Sequence, residues 1–195
     1  MAVHISYENK KPILYFSLEK ENATFANHFE LDKDFKRGFY IVDTPEISLT
    51  ELCTQARKYS SQHQIKIIFV DYFGLISHDN KSLQRTEQLA DISQTLKNLA
   101  QEQLIPIVLL CQLPHETQQN IPSLADLESP SLEQYADLVL LLHSPYNKKK
   151  DNGRFVGGAR DLIIAKQRKG YTDTGVVKLT LVKYGKTEIY VQTSK

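Results

Sequence analysis

The sequence predicts an α/β protein in which a mostly parallel sheet is flanked by helices and followed by a C-terminal antiparallel hairpin. Short apolar segments alternate with segments of helical periodicity, the pattern of a parallel sheet with crossover helices. The clearest apolar segment, residues 65–70 (IKIIFV), is too short for an independent helix and rich in β-branched types, which predicts a strand buried on both faces. Two β-rich segments, residues 176–182 and 188–191, meet around Tyr184 and Gly185 and predict the hairpin.

Four elements are predicted before this central strand. They are a strand over residues 11–17, a helix over residues 20–31, a strand over residues 39–43 and a helix over residues 48–60. Proline donates no hydrogen bond to a sheet, so Pro12 belongs at the beginning of the first strand. Ser48 and Glu51 have the spacing of a capping box, and the apolar residues after them recur at helical intervals, which predicts an amphipathic helix.

Beyond the central strand, one apolar stripe predicts a helix that ends near Gln103. The stripe consists of Leu89, Ile92, Leu96 and Leu99. The other predicted elements are a polar segment over residues 77–84, a strand over 105–112, a long polar loop over 113–133, a strand over 136–143, a polar and basic loop over 144–160, and a strand over 161–166.

The composition is that of a soluble globular protein. The chain has 195 residues, of which 41% are hydrophobic and 24% charged, so a single domain is expected. No apolar run reaches 18 residues, and the first residues lack the apolar core of a signal peptide, which predicts a cytoplasmic protein without a membrane segment. Cys53 and Cys111 lie inside predicted elements without a second pair of metal ligands nearby, which favours buried thiols over a disulfide or a zinc site.

Charge is distributed unevenly, although the net charge is only +1. Residues 1–143 carry 12 basic and 19 acidic side chains, whereas residues 144–195 carry 12 basic and 4 acidic ones. The basic C-terminal quarter indicates a polyanion as a partner on one face, and a charged surface that merely aids solubility is the alternative.

Polar residues follow three of the predicted strands. Glu19, Asp71 and Gln112 stand at the ends of apolar segments, and parallel strands deliver their carboxyl ends to one crevice. One carboxylate could polarise a water molecule, the other could hold a hydrated Mg²⁺, and the amide could contact a phosphate. These residues favour a nucleotide site, although polar strand ends occur in any α/β protein and a strand-terminal aspartate also caps loops.

Five segments of the sequence occur in a recognisable order. They are FSLE, IIFVDYFGLI, LKNLAQEQLIPIVLLCQL, SLADLESPSLEQYADLVLLLH and LIIAKQRKGYTDTGVVKL. Together they resemble the RecA-type C-terminal motor domain of the DnaB family of replicative DNA helicases, and the resemblance covers nearly the whole chain. It implies a RecA-like P-loop NTPase core, with residues 1–195 as a single motor domain truncated at its N-terminus.

The resemblance implies a role for each matching residue, with ATP and Mg²⁺ as cofactors. Glu19 resembles the glutamate that activates the attacking water, and Asp71 resembles the Walker B aspartate that acts on Mg²⁺ through water. Gln112 resembles the phosphate-sensing glutamine. Lys166 and Arg168 resemble the basic pair that one subunit projects into its neighbour's nucleotide site, with Arg168 as the arginine finger; a charged, solvated turn is the alternative for this pair.

The family also implies partners. Its members are homo-hexameric rings that bind ATP between subunits, hold single-stranded DNA in a central channel, and work with primase or loader proteins. The DNA-binding loops correspond to residues 78–88 and 124–134 of this chain. The residues assigned to DNA contact are Arg85, Glu128 and Ser129. The second loop departs from the DLRESG-like pattern of the family, because it lacks the arginine and contains Pro130, which has no amide to donate.

A second departure concerns the phosphate loop. Neither GxxxxGKS nor GxxxxGKT occurs in the 195 residues, and residues 1–7 align with the helix that follows this loop in the family. The chain alone is therefore predicted to hydrolyse no ATP. Two functions are compatible with these features: the larger part of an ATP-dependent ring helicase motor, or a non-catalytic relative that binds helicase subunits or nucleic acid. A RecA-like ATPase outside replication is a third alternative, against which SLEQYADLVLLLH argues.

Overall fold

The structure, a computed structural model, describes residue 2 and residues 10–19, 38–114, 120–144, 159–168, 175–184 and 187–192. The chain divides into two compact units, Met1–Gln112 and Leu113–Lys195. The helix predicted over residues 20–31 and most of the basic loop predicted over 144–160 lie outside the described residues.

The first unit is built on a four-stranded parallel sheet. Its strands are β1 (Ile13–Ser17), β2 (Phe39–Asp43), β3 (Ile67–Asp71) and β4 (Ile107–Leu109), in the order β2-β1-β3-β4. All five residues of β1 are buried, because this strand lies between two neighbours. The predicted parallel sheet is therefore confirmed, with the first strand of the chain inside it.

Among the described residues, two helices accompany this sheet, α1 (Leu49–His63) and α2 (Arg85–Gln103). The hydroxyl of Ser48 accepts a hydrogen bond from the Glu51 amide at 3.2 Å, which satisfies one of the amides that a helix start leaves unpaired. The helix predicted from these two residues is confirmed and runs three residues further. The predicted apolar stripe of α2 is buried as expected. Its members are Leu89, Ile92, Leu96 and Leu99.

One strand is shorter than predicted. The sequence favours a strand over residues 105–112, but β4 pairs with β3 only from Ile107 to Leu109. Pro106 has no amide for the ladder. After the strand, the carbonyl of Leu110 accepts from the amide of Phe73, which lies in a short 3-10 turn after β3. Gln112 therefore lies three residues beyond the strand and not at its last position.

The second unit contains a four-stranded antiparallel sheet. Its strands are β5 (Leu138–His143), β6 (Ala159–Gln167), β7 (Val176–Tyr184) and β8 (Thr187–Gln192), paired in chain order. The predicted hairpin is confirmed as β7 and β8. β5 pairs antiparallel with β6, and β6 pairs antiparallel with β7, so the antiparallel part of the described fold is larger than the predicted hairpin. Strand direction depends on pairing with a distant segment, which local periodicity does not encode.

The polar loop predicted over residues 113–133 contains regular structure. A 3-10 turn covers Leu124–Asp126, and a short helix, α3, covers Pro130–Tyr135. Proline suits the first position of a helix because the amide it lacks has no partner there. Pro130 thus begins a helix here, and the prediction of a continuous loop is corrected.

Two further expectations can be compared with the structure. Cys53 is buried and Cys111 is partly buried, and the described cysteines form no disulfide. Among the described residues, no helix combines the length and apolar character needed to cross a membrane.

Candidate functional site

The carboxyl edge of the parallel sheet holds the three predicted strand-end residues. Ser17 of β1 pairs with Asp71 of β3, so these two strands end side by side. Asp71 is the last residue of β3 and is partly buried, whereas Glu19 is exposed two residues beyond β1. Gln112 lies beyond β4 and is exposed. In the described part of the chain, no hydrogen bond or ion pair joins these three side chains directly; the described partner of the Asp71 side chain is Tyr15.

Asp71 is held at this edge by β1. The hydroxyl of Tyr15 donates a hydrogen bond to Oδ2 of Asp71 at 2.5 Å, and the amide of Leu18 donates to the Asp71 carbonyl at 2.8 Å. The Tyr15 ring is 6% exposed and stacks on Phe39 and Phe69, with ring centroids 6.2 and 6.1 Å away. Burial, and then the Asp71 carboxylate, raise the pKa of Tyr15 well above its usual value. The phenol therefore stays protonated and remains a donor at neutral pH.

Tyr15 was missed by the reasoning from sequence. Its signal was the segment ILYFS, in which alternation places Tyr15 and Ser17 on one face of the strand. A hydroxyl in an otherwise apolar strand requires a partner when it is buried. That partner becomes identifiable only when the strand is paired in register with the strand that ends at Asp71.

The predicted first DNA-binding loop, residues 78–88, is attached to α2. His78 is 7% exposed, and its Nε2 lies 2.8 Å from Oδ2 of Asp91. This contact raises the pKa of His78 above its usual range. Arg85 is exposed at the first position of α2, and its Nη2 donates to the Gly74 carbonyl at 2.7 Å. The loop is thus fixed at both ends by side-chain contacts, with a guanidinium at the surface.

Lys166 and Arg168 both contact the end of α3. Lys166 donates from Nζ to the carbonyl of Glu133, and Arg168 donates from Nη2 to the carbonyl of Gln134 at 2.6 Å. The last carbonyls of a helix have no intrahelical partners and carry partial negative charge. The main-chain amide of Arg168 also donates to the carbonyl of Asp137, at 2.8 Å. The basic pair thereby stabilises the C-terminal end of α3.

The residues predicted to contact DNA near α3 lie in different environments. Glu128 is exposed, in the segment between the 3-10 turn and α3. Ser129 is 4% exposed and precedes the helix, where its hydroxyl accepts from the amide of Ser131 at 3.3 Å and contacts the Ser131 hydroxyl at 2.8 Å. The Ser129 side chain is therefore occupied in starting α3.

Comparison with known proteins identifies the family. Residues 17–186 match the family described as the DnaB-like helicase C-terminal domain. The chain belongs to this family. The predicted membership in the DnaB family is thus confirmed, and the RecA-like fold goes with it.

Curated relatives of this DnaB-like chain are named replicative DNA helicases. The replicative DNA helicase DnaB of Treponema pallidum is 46% identical over 198 residues, covering 87% of this chain and 43% of the relative. That of Geobacillus stearothermophilus is 35% identical over 153 residues, covering 75% of this chain and 32% of the relative. The chain spans less than half the length of these relatives.

Solved structures support the fold of this DnaB-like chain. A DnaB-like replicative helicase, solved for its interactions with primase, matches with a TM-score of 0.71 and 23% identity, over 90% of this chain and 51% of that one. A separately solved ATPase domain matches with a TM-score of 0.73 and 23% identity, over 93% and 74% of the two chains.

Proposed function

We propose that this chain is the larger part of an ATP-dependent DNA helicase motor that moves along single-stranded DNA in a ring of subunits, with residues 1–195 as one motor domain. The observation that carries the proposal is the carboxyl edge of the parallel sheet, where β1 holds Asp71 and Glu19 is exposed two residues beyond β1. Family membership supports it, because the similar curated proteins are named replicative DNA helicases.

Asp71 is proposed as the residue that holds Mg²⁺ through water. Among the described residues, no group of three or more His, Cys, Asp or Glu side chains could enclose a metal ion. A single carboxylate such as Asp71 fits Mg²⁺, which keeps several of its waters and takes one or two carboxylates together with the phosphates of a nucleotide. Bound Mg²⁺ would supply charge stabilisation at the phosphates. The contribution of Asp71 is a carboxylate in a fixed position at the sheet edge.

Glu19 and Gln112 are proposed to act on the water and the phosphate. Glu19 is exposed, so its carboxylate is accessible to a water molecule at the sheet edge and can accept its proton. Gln112 is exposed beyond β4 and offers an amide donor to a phosphate oxygen. The two side chains follow different strands that end at the same edge, which is the arrangement that a nucleotide between them requires.

The edge strand β4 offers a place for the strand of a phosphate loop, a motif that these 195 residues do not contain. In the described part of the chain β4 pairs with β3 alone, and its three residues are only partly buried. Leu110, directly after β4, is 38% exposed. An apolar edge strand of this kind can accept a further strand through its main-chain groups. We assign that place to the strand that carries the phosphate loop.

Lys166 and Arg168 are proposed to contact the phosphates of ATP held by a neighbouring subunit, with Arg168 as the arginine finger. The side chain of Arg168 is 47% exposed, so it is accessible to a ligand from another chain. Oδ1 of Asp137 lies 3.9 Å from its Nη1, so this carboxylate offsets the positive charge only weakly. A guanidinium that is exposed and only weakly neutralised is suited to binding a phosphate.

Single-stranded DNA is the proposed polyanion. Arg85 is exposed at the start of α2 and is proposed to contact its phosphates. For Glu128 we propose contact through main-chain groups, because an acidic side chain repels phosphate, whereas the buried Ser129 is proposed to support this contact by starting α3. Primase or loader proteins are proposed as further partners in the cytoplasm.

The alternative function is a non-catalytic subunit that joins other helicase subunits or nucleic acid. It is favoured by the missing GxxxxGKS or GxxxxGKT motif. The two functions differ in one observable, the rate of ATP hydrolysis by a neighbouring subunit. A motor subunit with a finger changes that rate through Arg168, whereas a binding module changes it without Arg168.

The experiment adds this chain to the intact replicative helicase of Treponema pallidum, the relative that is 46% identical, and measures phosphate release from Mg-ATP. We expect the chain to change the rate and Arg168→Ala to remove the change, because a finger is worth about 10³ to 10⁵ in rate where it operates. Lys169→Ala is the matched control, since it removes one nearby positive charge. Equal effects of the two substitutions would reject the finger and favour non-specific attraction that salt abolishes.

A further inference from the structure

We propose that Tyr15 is a positioning residue, whose hydroxyl fixes the Asp71 carboxylate in the orientation that holds a hydrated divalent cation. The proposal rests on the proposed function, because Asp71 has a cation to hold only if the chain acts on a nucleotide. Tyr15 lies within β1, four residues before Glu19, so one strand controls the position of both carboxylates.

The Tyr15 hydroxyl has a fixed position. The ring is 6% exposed and stacks on Phe39 of β2 and Phe69 of β3, at interplanar angles of 23° and 25°. A tyrosine has only two side-chain torsions, and rings on both neighbouring strands restrict them here. The hydroxyl is therefore a donor whose place is set by the sheet itself.

The Asp71 side chain is bound on one side and open on the other. Its Oδ2 accepts from Tyr15 at 2.5 Å, and its carbonyl accepts from the amide of Leu18 at 2.8 Å. A carboxylate has about four acceptor sites, so Oδ1 and a second position on Oδ2 are left for the waters around a cation. Asp71 is partly exposed, so those positions are accessible to water. Tyr15 therefore orients the carboxylate and leaves its other acceptor positions available to water.

Replacing a residue that orients a metal-holding side chain typically lowers the metal affinity by about 10- to 100-fold. The alternative is that the hydrogen bond only stabilises the sheet. The two roles can be separated because Tyr15→Phe keeps the stacked ring and removes the hydroxyl alone. Loss of a sheet-stabilising bond would lower the unfolding midpoint and leave cation affinity unchanged.

The test titrates the chain with Mn²⁺ as the probe ion and measures free Mn²⁺ by electron paramagnetic resonance. Asp71→Asn defines the part of the binding that depends on this carboxylate. We expect Tyr15→Phe to weaken that part about tenfold. Tyr40→Phe is the matched control: it removes a hydroxyl from β2, where the ring stacks on His63 at 4.2 Å, and it should bind Mn²⁺ like the unmodified chain.

The proposal is overturned if Tyr15→Phe binds Mn²⁺ within twofold of the unmodified chain, or if the binding does not depend on Asp71. Circular dichroism reports whether the variant folds. If it does not, 4-fluorophenylalanine at position 15 replaces it, because the fluorine fills much of the space of the hydroxyl but cannot donate a hydrogen bond to Asp71. A similar loss of Mn²⁺ affinity in this second variant supports the proposal, and an unchanged Mn²⁺ affinity overturns it. Failure of the proposed function would appear separately, as an unchanged ATPase rate of the Treponema helicase.

Discussion

Arg168 and Gln134 are joined by a hydrogen bond of 2.6 Å, from the guanidinium Nη2 to the main-chain carbonyl oxygen. The contact places a positive charge at the negative end of α3, a helix of only six residues. So short a helix has little stability of its own, and contacts at its end decide whether it forms.

Arg168→Ala should therefore loosen α3. The amide of Ala136, which donates to the Leu132 carbonyl at 3.0 Å, should exchange its hydrogen about fivefold faster, corresponding to about 1 kcal/mol for an exposed charge-assisted bond. Hydrogen exchange followed by nuclear magnetic resonance measures this. Lys169→Ala serves as the control, and equal exchange rates in the two variants would show that the Arg168 contact contributes nothing to the helix.

The chain alone should show no appreciable ATPase activity. Asp71 and Glu19 can promote hydrolysis only of a nucleotide that is already held, and the 195 residues contain no GxxxxGKS or GxxxxGKT motif to hold one. The measurement is phosphate release with Mg-ATP and single-stranded DNA, with Asp71→Asn as the background. Turnover of about 1 to 100 per second that disappears in Asp71→Asn would contradict the prediction.

The contact between His78 and Asp91 should make stability depend on pH. The hydrogen bond to Asp91 raises the pKa of His78 above its ordinary value of 6.5, so the folded state binds the proton more tightly than the unfolded state. The stabilisation is complete below about pH 6.5 and is lost as the pH rises through the raised pKa. The difference in unfolding free energy between the unmodified chain and His78→Gln should therefore be largest below about pH 6.5 and shrink as the pH rises through the raised pKa.

Urea denaturation at several pH values measures that difference. His63→Gln is the matched control, because His63 stacks on Tyr40 and does not contact a carboxylate in the described contacts. If the difference in unfolding free energy between the unmodified chain and His78→Gln is the same at every pH, protonation of His78 adds no stability beyond that of the neutral hydrogen bond.

Ser48→Ala should destabilise α1. The Ser48 hydroxyl accepts from the Glu51 amide at 3.2 Å, and loss of such a cap costs about 1 kcal/mol. Ser61→Ala is the comparison within the same helix: Ser61 is exposed and its hydroxyl donates to the Lys58 carbonyl, so its replacement should change stability by less than about 0.5 kcal/mol. Thermal unfolding distinguishes the two, and equal midpoints would refute the cap.

Much of the first unit could be predicted from sequence because its signals are local. The capping pair before α1 and the apolar stripe of α2 each lie within a few helical turns, and both were found. The pairing of β5 with β6 joins residues such as Leu138 and Gln167 across a long stretch of chain. Apolar periodicity alone gives neither partner nor direction for such a pair, so the sequence predicted the two strands but not their antiparallel pairing.

The candidate site was predictable to a similar extent. Asp71 stands out as a carboxylate at the end of a buried strand, and its position at the sheet edge is the predicted one. The contact with Tyr15 depends on two strands being in register 56 positions apart. The sequence around Ser129 is also compatible with an exposed hydroxyl in a loop. It did not show that this hydroxyl is buried and starts α3.

The central position of β1 has a consequence for protein synthesis. This strand emerges from the ribosome before β3, its partner on one side, which ends at Asp71. At about 5 to 20 residues per second, the 56 positions between Tyr15 and Asp71 take about 3 to 11 s to translate. During that interval the five residues from Ile13 to Ser17, all buried in the finished sheet, lack the neighbour that covers them. During translation, β1 is therefore an exposed apolar segment of the kind that chaperones bind.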